Sequence, residues 1–77
     1  MEKSLQELSP EQTGVVKCIR AEGKIRRRLF DMGVTPSAKI TMRKVAPMGD
    51  PIEVTVRGYE LTLLKSEAQT VLVEVEA

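Results

Sequence analysis

The sequence predicts a small, mostly β, partly closed barrel of about five strands with one inserted α-helix. Three observations lead there. Apolar and polar residues alternate with a period of two over most of the chain, a single segment changes to the helical period, and breaks built from glycine and proline separate the runs at short intervals. Short antiparallel strands in so small a chain favour closure, because closure removes sheet edges that promote aggregation.

The elements follow in order. Leu5 and Leu8 precede Ser9-Pro10 and Thr13-Gly14, an apolar anchor and turns leading into a strand from Val15 to Arg20. From Gly23 the period changes: Ile25, Leu29 and Met32 fall at i, i+4 and i+7, which predicts a helix over about Lys24–Met32 with Gly33 as its stop. Val34-Thr35-Pro36-Ser37 turns the chain into a strand carrying Ile40 and Met42, and Val45 breaks its phase. The loop Ala46-Pro47-Met48-Gly49-Asp50-Pro51 is too rich in proline for a central strand and joins two runs that pair as a hairpin. Ile52, Val54 and Val56 form the next strand, Gly58-Tyr59 a tight reversal or bulge, and Leu61-Thr62-Leu63 another strand. Ser66 to Gln69 reads as one helical turn, and Val71, Val73 and Val75 alternate with Glu74 and Glu76 in the last strand. Ile25, Leu29, Ile40, Val54, Val56, Leu63, Val71 and Val73 are expected to share one core.

Length and composition limit what such a fold can do. At 77 residues the chain has core enough for a single domain, residues 1–77. An apolar share of 42% and a charged share of 30% are those of a globular domain rather than a disordered one. The apolar runs are too short to span a membrane, and Glu2 and Lys3 leave no hydrophobic signal segment. Twelve basic against eleven acidic residues give a net charge of +1, which is no general attraction for nucleic acid. Cys18 is the only cysteine, so no internal disulfide forms, and a reducing cytoplasm is the simplest setting.

Candidate chemistry is sparse. Histidine is absent, which removes the commonest general base and the histidine-based nucleophile and metal arrangements, and no glycine-rich loop ends in Lys-Ser or Lys-Thr. No catalytic residue, resident metal or cofactor is expected. Cys18 reads as a small core residue, Asp50 as a turn cap and Glu53 as a solvated strand residue; two carboxylates alone make a weak cation cage. The basic run Lys24, Arg26, Arg27 and Arg28 is the main candidate for binding, since Arg27 falls about 200° from Ile25 on the outer helix face. Its plainer reading is a solvated face, with Arg28 laying its stem along the core edge. Phe30 is either a binding anchor beside Arg26 or a ring packed beneath the amino-terminal segment. Tyr59 is the single tyrosine, suited to covering the barrel with its hydroxyl at water or backbone.

Three stretches carry a family resemblance: Arg27-Arg28-Leu29-Phe30-Asp31-Met32-Gly33-Val34-Thr35-Pro36, Ala46-Pro47-Met48-Gly49-Asp50-Pro51-Ile52, and Val56-Arg57-Gly58-Tyr59-Glu60-Leu61-Thr62-Leu63 followed by Glu67-Ala68. In this order the chain resembles the FeoA family of ferrous-iron transport accessory proteins. Ser37 stands where the family usually has glycine, and Leu64 where it often has arginine. The resemblance implies an SH3-like barrel in the cytoplasm, recruited to the inner face of the membrane by the FeoB ferrous-iron permease and its cytoplasmic GTP-binding portion. Similar domains end some metal-dependent repressors, but no DNA-binding helix-turn-helix stands in this sequence, so the accessory reading is preferred.

The expected partner surface therefore comprises Lys24, Arg26, Arg27 and Phe30 of the helix, Pro47, Met48, Gly49, Asp50 and Pro51 of the loop, and Tyr59. The alternatives are a repressor-type regulatory module and a small RNA-binding barrel. An aromatic content of 3% leaves the RNA reading few platforms on which bases could stack, so nucleic acid is not an expected partner.

Overall fold

Six strands and two helices follow one another in the computed structural model, which describes residues 1–75 and so leaves Glu76 of the expected last strand outside the described residues. The strands are β1 (Glu2–Ser4), β2 (Thr13–Ile19), β3 (Lys39–Val45), β4 (Ile52–Val56), β5 (Tyr59–Leu63) and β6 (Val71–Glu74); the helices are α1 (Gly23–Asp31) and the short α2 (Lys65–Ala68). All strand pairs are antiparallel, in the order β1-β6-β2-β3-β4-β5. Buried side chains of β2 to β6 share one core with Leu5, Leu8, Leu29, Val34 and Ala68, and among the described residues no second sheet covers them, so the sheet bends over its own core. It does not close fully, and β1 and β5 remain as edges.

The apolar alternation places the core as expected for Leu29, Ile40, Val54, Val56, Leu63, Val71 and Val73, each at most 2% exposed. Leu5 and Leu8 seal one end, joined by a 3₁₀ turn over Leu5–Glu7. β1 has no apolar alternation to reveal it: Glu2, Lys3 and Ser4 are held by backbone pairing with Glu74, Val73 and Leu72 of β6. Two irregularities alter side-chain phase. One lies between Val16 and Cys18 of β2, and Cys18 is half-buried rather than a core residue. The other lies between Met42 and Lys44 of β3 and accounts for the out-of-phase Val45, which is exposed.

Ile25 is the core assignment that the structure overturns, since it is 42% exposed. The helix itself forms as expected, but it docks through its carboxyl-terminal half: Leu29 is fully buried, and Phe30 and Met32 pack against the core from its margin. Helical period identifies the stripe that faces inward, not how far along that stripe the core extends. The helix ends in a Schellman motif, in which the Gly33 amide donates to Phe30 O at 3.0 Å and the Val34 amide to Leu29 O at 2.9 Å. Gly33 adopts the required positive φ of 93°, and the buried Val34 and Leu29 supply the accompanying apolar contact.

Two turns set the remaining geometry. Thr35-Pro36-Ser37-Ala38 closes with the Ala38 amide on Thr35 O at 3.0 Å. Proline at the second position and φ of 78° at Ser37 make it a type II turn, which ordinarily takes glycine at that third position. Arg57 and Gly58, at φ of 52° and 84°, form a two-residue reversal that pairs Val56 with Tyr59, so the tight turn forms one residue earlier than the expected Gly58-Tyr59 and Tyr59 opens the strand.

Candidate partner-binding surface

The basic residues of α1 divide by task. Arg26 Nη1 donates to the carbonyl of Ile19 at 3.0 Å, tying the helix start to the end of β2, and its guanidinium stacks over the Phe30 ring at 4.7 Å. Arg28 Nε meets Glu67 Oε2 at 2.9 Å, joining α1 to α2. Lys24 and Arg27 are exposed and make no hydrogen bond or ion pair among the described residues. All four cations stay exposed, as the sequence suggested, but only Lys24 and Arg27 are left without a side-chain partner among the described residues. Phe30 is half-buried against the core and covered by Arg26, so it combines packing with a margin at the surface.

Sequence reasoning missed the Arg28–Glu67 connection. Glu67 is only 5% exposed, and its Oε1 also accepts the Leu64 amide at 2.9 Å. This is half of a capping box, with leucine where serine or threonine would announce it. A glutamate three residues after Leu64 at the start of a helical turn was the available signal.

The loop from Ala46 to Pro51 is drawn together by the Ala46 amide on Pro51 O at 3.1 Å and the Gly49 amide on Ala46 O at 2.7 Å. Asp50 Oδ1 accepts the Lys65 amide at 2.9 Å, so this aspartate caps the first turn of α2 rather than its own loop. Pro47, Asp50 and Pro51 are exposed, Gly49 is half-buried, and Met48 stands 89% exposed at the tip. Leu64, 52% exposed, lies beside Lys65 and hence beside the loop.

Tyr59 is 73% exposed and does not cover the barrel. It sits at the start of β5, whereas the loop stands at the far end, where Ile52 pairs with Leu63. Four strand residues separate them, about 13 Å at ~3.3 Å per residue. The structure therefore does not gather the loop and Tyr59 into one patch; it places them at opposite ends of the open edge strand. Among the described residues no three His, Cys, Asp or Glu side chains come together to hold a metal ion, and no helix is long and apolar enough to cross a membrane.

The FeoA domain family matches residues 3–75. The chain belongs to the FeoA family. A FeoA-like protein from Clostridium acetobutylicum, solved by NMR, is 42% identical and superposes with a TM-score of 0.89 over 99% of this chain and 88% of its own. The Stenotrophomonas maltophilia FeoA, crystallised with zinc and described as an SH3 domain protein, is 31% identical with a TM-score of 0.80 over 96% of this chain and 89% of its own. The SH3-like architecture is thus established, with its sheet not fully closed. A Porphyromonas gingivalis protein, a fusion of Fe(2+) transport protein A with the Fe(2+) transporter FeoB, is 29% identical over 70 residues. Those residues make up 91% of this chain but 8% of that protein.

Ser37 holds a left-handed backbone for which glycine is suited, at the cost of strain. Leu64 is an exposed apolar side chain beside the Ala46–Pro51 loop.

Proposed function

We propose that this chain is an accessory protein of ferrous-iron uptake that binds the cytoplasmic GTP-binding portion of a FeoB-type permease. The observation that carries the reading is the Porphyromonas gingivalis relative, in which a region similar to nearly all of this chain is joined to FeoB in one polypeptide. Fusion holds two domains at high effective concentration, and separately encoded homologues of such domains meet by binding instead. The small single domain, its lack of histidine and its exposed cations and loop side chains suit a binding role, at the cytoplasmic side of the membrane where that portion of the permease lies.

The surface proposed for this contact is Lys24 and Arg27 of α1, with Arg26 and Phe30 at its border, together with the Pro47-Met48-Gly49-Asp50-Pro51 loop and Tyr59. Exposed charges at an interface mainly steer encounter, whereas a desolvated aromatic or apolar anchor governs dissociation. The test is a kinetic titration of the isolated cytoplasmic portion of FeoB with wild type and with Lys24→Glu/Arg27→Glu. Arg26 is left intact because it supports the helix. The charge-reversed pair should associate about tenfold more slowly at low salt, a difference that salt removes, with its circular dichroism unchanged. Absence of binding by wild type would overturn the partner; unaltered rates in the folded variant would remove α1 from the interface.

A further inference from the structure

We infer that the open edge of β5 is a strand-addition site for an extended segment with apolar residues facing Tyr59 and Leu61 and a basic residue opposite Glu60. Among the described residues β5 pairs only with β4 and ends the sheet. Its five register pairs, from Val56 with Tyr59 to Ile52 with Leu63, run without a bulge. The strand also lacks proline and lysine, two of the devices that blunt an edge, and carries a single charge, Glu60.

The hairpin geometry identifies the free groups. In a two-residue antiparallel hairpin the residues flanking the turn form a hydrogen-bonded pair, and bonded and non-bonded pairs then alternate. Tyr59, Leu61 and Leu63 accordingly direct their N–H and C=O groups to β4. Glu60 and Thr62 direct theirs outward, and neither makes another backbone hydrogen bond among the described residues. The Leu64 amide is taken by Glu67, which closes the edge at that end. Two donors and two acceptors thus stand in line for an incoming strand.

The side chains select the occupant. Tyr59, Leu61 and Leu63 share the core face, and exposure falls along them from 73% at Tyr59 through the half-buried Leu61 to the buried Leu63. An added strand with apolar residues on this face would extend the core over Tyr59 and Leu61. On the opposite face Glu60 is the only charge of β5, is paired across with Thr55, and has no ion pair among the described residues. A second copy added antiparallel about Leu61 would place Glu60 against threonine and the two Glu60 carboxylates diagonally on one face, about 7–8 Å apart. Charge complementarity favours a lysine or arginine there instead. Strand addition also explains why the loop and Tyr59 sit at opposite ends of β5: one extended segment reaches from Tyr59 towards Leu64 and Met48.

The inference rests on the chain being a binding module, and it is tested apart from the identity of the partner. The probe is the peptide acetyl-Thr-Val-Thr-Val-Lys-Val-Thr-amide, with a version carrying glutamate in place of lysine as control, and the readout is amide hydrogen exchange of Glu60 and Thr62 by NMR. The lysine peptide should slow both amides at least tenfold and shift Tyr59, while the glutamate peptide should do so only for Glu60→Lys. Thr62→Pro, which removes an edge donor without breaking a bond to β4, should abolish the effect in a folded chain. Exchange unchanged by either peptide would overturn the inference. So would protection that grows with the concentration of the free chain, because a second copy would then fill the edge. A chain that binds the FeoB portion while Glu60 and Thr62 stay unprotected in that complex would refute strand addition and leave the accessory role standing.

Discussion

Removing the Arg28 side chain tests whether α1 is held to α2 by a half-buried charge pair. The Arg28 Nε to Glu67 Oε2 separation is 2.9 Å, with the glutamate side chain 6% and the arginine side chain 56% exposed. Two unit charges about 4 Å apart attract by about 1 kcal/mol in water and about 4 kcal/mol at an effective dielectric of ~20. Breaking a fully buried pair costs about 3–5 kcal/mol, whereas exposed pairs contribute about 0–1 kcal/mol. The solvated arginine moves this pair well below the buried limit, so Arg28→Ala should destabilise the chain by about 1.5–2.5 kcal/mol. Glu67→Gln, which keeps an acceptor for the Leu64 amide, should cost less, about 1 kcal/mol. Urea denaturation of wild type, both single variants and the double variant gives the coupling directly, and about 1–2 kcal/mol is expected. A coupling below about 0.3 kcal/mol would refute the reasoning and reduce Arg28 to another solvated cation of the helix.

Ser37→Gly should stabilise the chain by about 1 kcal/mol, because the residue has φ of 78° and left-handed backbone costs roughly 1–2 kcal/mol in a non-glycine residue, offset in part by the greater freedom of unfolded glycine. A lower urea midpoint would show that the hydroxyl matters more than the strain. Gly14→Ala should destabilise by about 1–3 kcal/mol, since a Cβ there would lie 3.1 Å from Val73 Cβ and Cγ2 and 3.2 Å from Glu74 O, and a thermal melt measures it. Glu7 accepts the Ser4 amide at 2.9 Å and the Ser4 hydroxyl at 2.8 Å, and these bonds, the backbone one foremost, hold its carboxyl below the usual range. Its contribution is therefore present above the ordinary carboxylate pKa and lost as pH falls through the lowered one. The stability gap between wild type and Glu7→Gln should accordingly shrink on acidification, and a gap that widens in paired denaturation curves at neutral and acid pH would contradict this sign.

The family was legible because its marks are local. The helix stop at Gly33, the proline loop and the reversal at Arg57-Gly58 each express backbone requirements that a few adjacent residues impose. The candidate surface was less legible. Lys24, Arg26, Arg27 and Arg28 look equivalent as a run, yet Arg26 bonds a carbonyl seven residues away and Arg28 a carboxylate from another helix. Met48 and Tyr59 stand at separate points of the sequence, and no local pattern says that β5 lies between them.

By itself the sequence determined the mostly β class, the single helix with its stop, the alternating core positions and the resemblance to FeoA, because period, turn chemistry and burial of apolar side chains act over a few residues at a time. Tertiary structure decided the rest: β1, which has only backbone pairing to define it; the exposure of Ile25, where the core falls short of the helix's first turn; and the division of the basic run into supports and free charges. It also decided which strand ends the sheet. Strand order depends on pairing between residues far apart in sequence, as when β6 inserts between β1 and β2, and no local pattern specifies that Glu60 and Thr62 are left with their backbone groups facing outward.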